Sequence, residues 1–344
     1  LLLEVDVESV VRERMSTLVG EVRDKLRSLR INYQGLEARG PVVVFSVLNA
    51  EDVEKARDAV RGIDRDTQIE VEGSRISMRL TEQAIRDRRS KVVEQSIEIV
   101  RRRIDEVGVR EPTIVRQGND RILVQLPGER DPEGVKRILN KTAKMNFHLL
   151  DETTSVEQAQ QGRVPPGSML LEGDDDTNRT GQRSKYLVQR RIRVDGGNLP
   201  DDQPTFQDGR PVVSFRFNSV GARHFADVTR QNVGHPFAIV LDNKVISAPV
   251  IREPILGGSG IISGNFSVQT ARDLAILLRA GALPASLKVI EERTVGAELG
   301  ADSIRAGQIA SILAAVLVVV FMFAAYGLFG LFANLALILN VVLI

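Results

Sequence analysis

The last 39 residues, Ala306 to Ile344, carry no charged side chain, whereas Arg, Lys, Asp and Glu are dense up to Arg305. A charge-free apolar run of this length is a membrane span, because hydrocarbon solvates neither ions nor open backbone. Ten of the residues from Ile309 to Ala325 are Val, Ile, Leu or Phe. At about −0.3 to −0.6 kcal/mol each, they favour insertion by roughly 3 to 6 kcal/mol. A buried helix of a soluble core normally keeps a polar face, and this segment has none.

The run is too long for one helix. Tyr326-Gly327 and Gly330 offer a break, so the pattern predicts one transmembrane helix over 306–325 and the start of another over 328–344, joined by a tight turn. Asn334 and Asn340 fall in the second segment and read as hydrogen-bonding glue between helices. The chain reads as a fragment. It opens at Leu1 with no signal peptide, on a strand-like stretch, as if in mid-domain.

The charged remainder is long enough for two or three domains. Its chemistry is restricted. Net charge is +1, so no global field recruits nucleic acid or anionic lipid. The absence of cysteine removes disulfides, thiolate nucleophiles and zinc–thiolate sites. Aromatic residues are 4% and tryptophan is absent, which speaks against an aromatic ligand cage.

Leu3, Val5 and Val7 alternate with Glu4, Asp6 and Glu8, predicting a half-buried strand over 1–8. A helix follows over 9–29, with Val10, Met15, Leu18, Val22 and Leu26 on one stripe. Strands are expected at 30–34 and 42–47, with a turn at Gly35 between them. A helix capped by Asn49 and two short strands close this unit at residue 80. Thr81 opens a long helix that Gly108 stops. Its Arg101–Arg103 run, interleaved with acids, reads as a solvated face rather than a phosphate patch. A hairpin through Gly118-Asn119 follows, then a helix with Asp131 as cap and Pro132 at its first position, then a strand at 145–150. The layout of 31–61 recurs in 113–139. Strand–turn–strand–helix–strand after a helix is the split βαβ, ferredoxin-like pattern.

Residues 151–205 are rich in Gly, Pro, Asp, Gln, Thr and Arg and read as a flexible connector. The acids Asp174–Asp176 within it lack the spacing of a calcium loop. Order is expected to return at 211–217, where Val213, Phe215 and Phe217 share a face, followed by a helix capped by Asn218. Strands at 237–241 and 245–250 pair through Asp242-Asn243-Lys244. The Gly257-Gly258-Ser259-Gly260 run has no Lys-Ser/Thr sequel, so it reads as hinge or bulge rather than phosphate cradle. Ser267 caps a helix ending at Gly281, and a last strand runs over 287–292.

No catalytic constellation is present in the sequence. His148, His224 and His235 are scattered, with no HExxH array. There is no G-x-S-x-G elbow, Walker loop or dinucleotide fingerprint. The expectation is no enzyme, no metal and no cofactor.

Three stretches carry a family resemblance: LLLEVDV at the start, GVREPTIVRQGNDRILVQLPGERD from Gly108 to Asp131, and the block from Phe237 to Leu299 containing VLDNKVISAPVIREPILGGSGIISGNFS. They resemble the SecD family of bacterial preprotein-translocase subunits (SecDF, within the RND-like superfamily). The resemblance implies an α+β fold of ferredoxin-like periplasmic modules with an inserted head, followed by transmembrane helices. It implies a multi-pass protein of the inner membrane, with 1–305 in the periplasm and the Tyr326–Gly330 turn in the cytoplasm. SecF, the SecYEG channel and unfolded preprotein are the implied partners, and the proton motive force the implied energy source. The family's proton-path carboxylate belongs to a later span.

The expected division is 1–8 and 81–150 as the periplasmic base, 9–80 as an additional ferredoxin-like insertion and 151–263 as the head. Residues 264–305 return to the base and approach the membrane. Leu150, Asp151, Gly257, Gly258, Gly260 and Gly264 are the expected hinge, since both crossings are rich in residues that tolerate backbone change. Phe215, Phe217, Phe237, Ile246 and Val250 are the expected preprotein contacts. Two other classes stay open: a proton-driven RND-type exporter of small molecules or lipids, which needs a voluminous aromatic pocket, and a membrane-anchored hydrolase, which needs a nucleophile–base pair.

Overall fold

The computed structural model describes all residues except 130, 178–182, 200, 294–296, 328, 331, 334 and 337–344. It divides into two compact units, Leu1–Glu291 and Glu292–Ile344.

In the first unit, β1 (Leu2–Val5) buries Leu3 and Val5. The strand ends earlier than its alternation suggests, because the Asp6 carboxylate accepts from the Ser9 amide at 3.0 Å and so caps α1 (Val7–Ser28). Helix α1 leads to β2 (Tyr33–Arg39), β3 (Val42–Val47), α2 (Val53–Arg61), β4 (Thr67–Glu72) and β5 (Arg75–Leu80). Gly35 is not a turn between strands. It lies inside β2, where the register against β3 shifts between Gln34 and Glu37. The antiparallel order is β2-β3-β5-β4, and its core joins Met15, Leu18, Val22 and Leu26 of α1 to Phe45, Ile76 and Met78.

Next come α3 (Glu82–Val107), β6 (Thr113–Gln117), β7 (Arg121–Gln125) and α4 (Pro132–Leu139). Thr81 and Asp131 cap their helices by accepting from the Ala84 and Gly134 amides, at 3.1 and 2.9 Å, and Gly108 ends α3 at φ 89°.

The upper layer contains β8 (Met145–Leu149), α5 (Val156–Gln160), β9 (Ser168–Thr177), β10 (Arg183–Gln189), β11 (Val194–Asp195), β12 (Asp201–Gln207), β13 (Arg210–Arg216), α6 (Ser219–Gln231), β14 (Phe237–Leu241), β15 (Lys244–Ser247), β16 (Ser259–Ile262) and α7 (Val268–Ala280). Strand β17 (Leu287–Glu291) then returns to pair with β1 and complete a four-stranded sheet, β17-β1-β7-β6. The upper layer has a six-stranded sheet, β10-β9-β15-β14-β8-β11, and a three-stranded one, β12-β13-β16.

The recurrence seen in the sequence has a topological form. In each four-stranded sheet a hairpin (β2–β3 or β6–β7) occupies one edge. Its inner strand pairs with a strand (β5 or β1) that is followed in the chain by a helix. Placing β5 ahead of α1 would reproduce the strand order of the other sheet, so the two modules are related by a permutation. The permuted module is spliced between β1 and α3.

Two expectations change. Residues 151–205 are not a bare connector, because β9 and β10 pair from Ser168–Gln189 outward and β12 pairs with β13 along its whole length. Composition hid these strands because their exposed positions are mostly polar: Arg183 and Lys185 on β10 and Gln203, Thr205 and Gln207 on β12 are exposed. Strand β8, expected in the base, is an inner strand of the six-stranded sheet. Met145, Phe147, His148 and Leu149 are all buried there, as a strand covered on both faces requires.

In the second unit, α8 (Ala297–Tyr326) contains the apolar stretch Ile304–Tyr326, with mean hydropathy 2.7 and none of its most apolar window buried. It is long enough to cross a bilayer. Gly327 terminates it at φ 53°. A Cβ on Gly330 would collide with the Met322 carbonyl, so the chain turns back tightly along α8. Residues 329–330, 332–333 and 335–336 are helical. Most of the expected second span, with Asn334 and Asn340, lies outside the described residues.

Candidate functional site

Phe215, Phe217 and Phe237 are each 4% exposed. With Phe147 and Phe225 they form one aromatic core, centroids 5.0 to 6.1 Å apart. They hold the two upper sheets together and offer no surface to a partner, which corrects their assignment as contacts. The alternation that aligned Phe215 with Phe217 was real, but it marked the inner face. Ile246 and Val250 differ. Val250 is exposed, and Ile246 lines a cleft of about 730 Å³.

That cleft opens between the two upper sheets. One wall is Asp174 and Tyr186 on β9 and β10, and another is Ile246 to Ala248 at the end of β15. The tip of the β12–β13 hairpin (Gln207, Asp208, Arg210) and Ser263 to Phe266 complete it. Lys244 holds Asp174 at 3.1 Å beside the opening. Gly264, one of the expected hinge positions, is on this wall.

The remaining hinge positions lie within the upper layer. Leu150 bridges to Val188. The Asp151 amide donates to Leu187 O at 2.9 Å, and its carboxylate accepts from Ser168 and Thr153 at 2.5 Å each. Those hydroxyls, Ser168 foremost, hold the Asp151 carboxyl below its usual range. Gly258 and Gly260 are close-approach glycines: a Cβ on the first would strike Ala222, and on the second the Phe215 ring.

The crossings between the lower and upper cores lie elsewhere, at 140–144 and 281–286, side by side. The Leu283 amide donates to Thr142 O at 2.8 Å. Both crossings are gripped by Arg103, which is fully buried and not on a solvated face as its neighbours suggested. One guanidinium nitrogen donates to Ile138 O at 2.7 Å and Lys141 O at 2.5 Å. The other donates to Thr142 O and Gly281 O at 3.2 Å each. Burial lowers the Arg103 pKa to about 10, against the opposing charge of Asp242, so it stays cationic at neutral pH. Asp242, expected only as a turn residue, accepts from Thr142 Oγ1 and from the Ala143 and Lys144 amides. Arg279 of α7 reaches Glu106 of α3 at 2.6 Å. The sequence held one clue to Arg103: it lies three residues after Val100, next to Ile104, on the inward stripe of α3.

Among the described residues no group of three His, Asp or Glu side chains is disposed to hold a metal. His148 Nδ1–H donates to Gln189 O at 2.8 Å, and His235 Nδ1 meets exposed Glu152 at 2.8 Å. Neither faces a serine nucleophile in the structure's hydrogen bonds.

The fold and its apolar helix thus define an α/β protein of several hydrophobic cores with a candidate membrane span, a cleft and a clamped junction. The family model for the SecDF P1 head subdomain matches residues 169–285, and that for the N-terminal part of the SecDF P1 domain matches 93–152. The protein translocase subunit SecD of Rickettsia prowazekii is 43% identical over 98% of this chain and 65% of its own length. That of Rhodobacter capsulatus is 44% identical over 100% and 63%. A crystal structure of SecDF in its super-membrane-facing form is similar at 34% identity and a TM-score of 0.51, covering 72% of this chain and 34% of that one. The chain belongs to the SecD family of protein translocase subunits. It spans about two thirds of the length of these curated relatives.

Proposed function

We propose that this chain is the part of a SecD subunit that receives unfolded preprotein as it leaves the SecYEG channel, and that it works with SecF and the proton motive force to complete export. The observation that carries the reading is the near-complete match to SecD relatives at 43–44% identity. The head-matched region also contains the cleft of about 730 Å³. In this reading, Leu1–Glu291 stands in the periplasm of a multi-pass inner-membrane protein, and α8 is its first crossing after that domain.

The sheet order β17-β1-β7-β6, with α3 between β1 and β6 and α4 after β7, supports reading this sheet as a ferredoxin-like split βαβ. We take it as the base, the permuted module as an insertion, and residues 143–280 as the head. The pivot of head on base then falls at 140–144 and 281–286 rather than at the glycines. The exporter alternative has less support, because the five clustered phenylalanines pack against one another and only Tyr186 and Phe266 contribute aromatic rings to the cleft.

A secretory chain stalled in the channel is the test. Photocrosslinkers placed at Ile246 and Ser263 should capture it, and one at exposed Val268 should not. Export that is unaffected by loss of the protein, with no crosslink at any position from Pro211 to Gly264, would remove the proposal.

A further inference from the structure

One side of the cleft is a break in the six-stranded sheet, between β9 and β15. Strands β9 and β15 run parallel, yet their ladder holds only two residue pairs, Lys244–Glu172 and Val245–Gly173. Both strands become irregular at the next residue. On β15, Ile239 of β14 faces Ser247 and Val240 faces Val245, so Ile246 is an extra residue without a partner, a β-bulge. On β9, the register against β10 shifts between the Glu172–Lys185 and Thr177–Arg183 pairs. A bulge bends its strand and increases local twist. Two bulges on facing strands, beginning at the same rung, split the sheet and open the cleft between Asp174 and Ile246.

Separating two strands inside a sheet exposes what an edge strand exposes, a row of backbone N–H and C=O groups ready to pair with another chain. Folded proteins ordinarily cover such groups. Gly264 puts no side chain over the Ile246 carbonyl, whereas a Cβ at that position would stand 3.6 Å from the oxygen, in van der Waals contact with it. The side chains around the opening mix Ser247, Asn265 and Arg210 with Val212 and Phe266, which selects for no particular side chain.

We propose that this break is a strand-acceptor slot, in which a short extended stretch of polypeptide enters between β9 and β15 and continues the broken ladder. It rests on the reading that the head holds unfolded preprotein, and it specifies how. Recognition is through the backbone, as in β-strand addition. That suits a site that must accept chains of any sequence, since every residue except proline offers the same N–H and C=O.

The test uses the full chain in detergent micelles and a soluble, Thr- and Val-rich peptide as probe. Its partner peptide has the same sequence with alternate backbone nitrogens methylated, which removes donors along one edge. Binding of the methylated peptide is expected to be at least about tenfold weaker, the equivalent of roughly one to three hydrogen bonds. Photoprobes at successive positions of the unmethylated peptide should crosslink to Ile246 with a two-residue period, because strand side chains alternate. Gly264→Val, which covers the Ile246 carbonyl, should weaken the unmethylated peptide by a similar factor. Equal binding of the two peptides, or crosslinking without alternation, overturns the slot while leaving preprotein binding intact. Binding of neither peptide, with no crosslink at Ile246, overturns the slot together with the reading beneath it.

Discussion

Arg103→Met should loosen the join between the lower and upper cores of Leu1–Glu291 more than any surface change. The guanidinium is fully buried and serves four carbonyls, Ile138, Lys141, Thr142 and Gly281. Hydrogen bonds from an ion contribute about 1.5–3 kcal/mol each. The ion itself costs several kcal/mol to bury, so the net worth of the clamp is far below their sum. Deleting it is another matter. Methionine fills similar volume but leaves those carbonyls without their donor, and breaking one side of a buried ionic network costs roughly 3–5 kcal/mol. Against a domain stability of about 5–15 kcal/mol, this is a large fraction. Arg103→Lys retains charge but not the planar fork, and one ammonium cannot reach both pairs of acceptors; about half the loss is expected. The chain has no tryptophan, so urea unfolding is best followed by circular dichroism, with hydrogen exchange locating the change. Amides of 140–145 and 278–285 should lose protection first. A change under about 1 kcal/mol in Arg103→Met, with protection there intact, would refute the clamp.

Three further outcomes follow from other places in the fold. Burial tends to raise the Asp64 pKa, but the Arg14 hydrogen bond at 2.7 Å, the Asp66 amide and the charges of Arg14 and Arg88 outweigh it and hold the carboxyl below its usual value. Its stabilisation is therefore complete above about pH 3.9 and lost as pH falls through the lower folded value, and Asp64→Asn should flatten the acid limb of the unfolding profile measured across that window. Gly258→Ala should destabilise the head by about 1–3 kcal/mol in thermal unfolding, since φ is 63° and the new Cβ would strike Ala222. Val318→Arg puts a cation in the middle of α8 at about 2.5–3.5 kcal/mol, comparable to the insertion energy of the span, so membrane-extracted protein should fall sharply on immunoblots.

What the sequence revealed was local. Thr81, Asp131, Asn218 and Ser267 were read as caps and act as caps, because a cap is decided by residues within one turn. Asp242 and Asn243 were read as a hairpin turn and adopt φ 49° and 64°, the left-handed pair that a two-residue loop requires. Long-range pairing was not legible. Nothing in LLEV specifies that its partners are 287–291 on one side and 121–123 on the other. The glycine run at 257–260 was read as freedom, yet Gly258 and Gly260 are there to admit Ala222 and Phe215. Composition alone cannot separate a flexible glycine from one required by close approach. Arg103 was concealed by its neighbours: two exposed arginines beside it made the run look solvated, and only the inward stripe of α3 distinguished it.

The relocated pivot can be tested because the two crossings are adjacent. Head and base are joined only by 140–144 and 281–286 along the chain, and the Leu283–Thr142 hydrogen bond puts those segments beside each other. Two neighbouring connections define a single axis, the geometry of a hinge. A rotation that lifts α7 off α3 would part Arg279 from Glu106, now 2.6 Å apart. Cysteines introduced on those two helices near this ion pair, at positions whose Cα atoms lie within about 7 Å, would staple the head in its present orientation. The chain contains no native cysteine to compete. If the head pivots during export, translocation driven by the proton gradient should stall when the pair is oxidised and recover on reduction. Breaking the ion pair alone, with Glu106→Gln, should leave the rate unchanged or raise it. An oxidised, fully crosslinked protein that exports at the reduced rate would show that export needs no pivoting of residues 143–280 on the base.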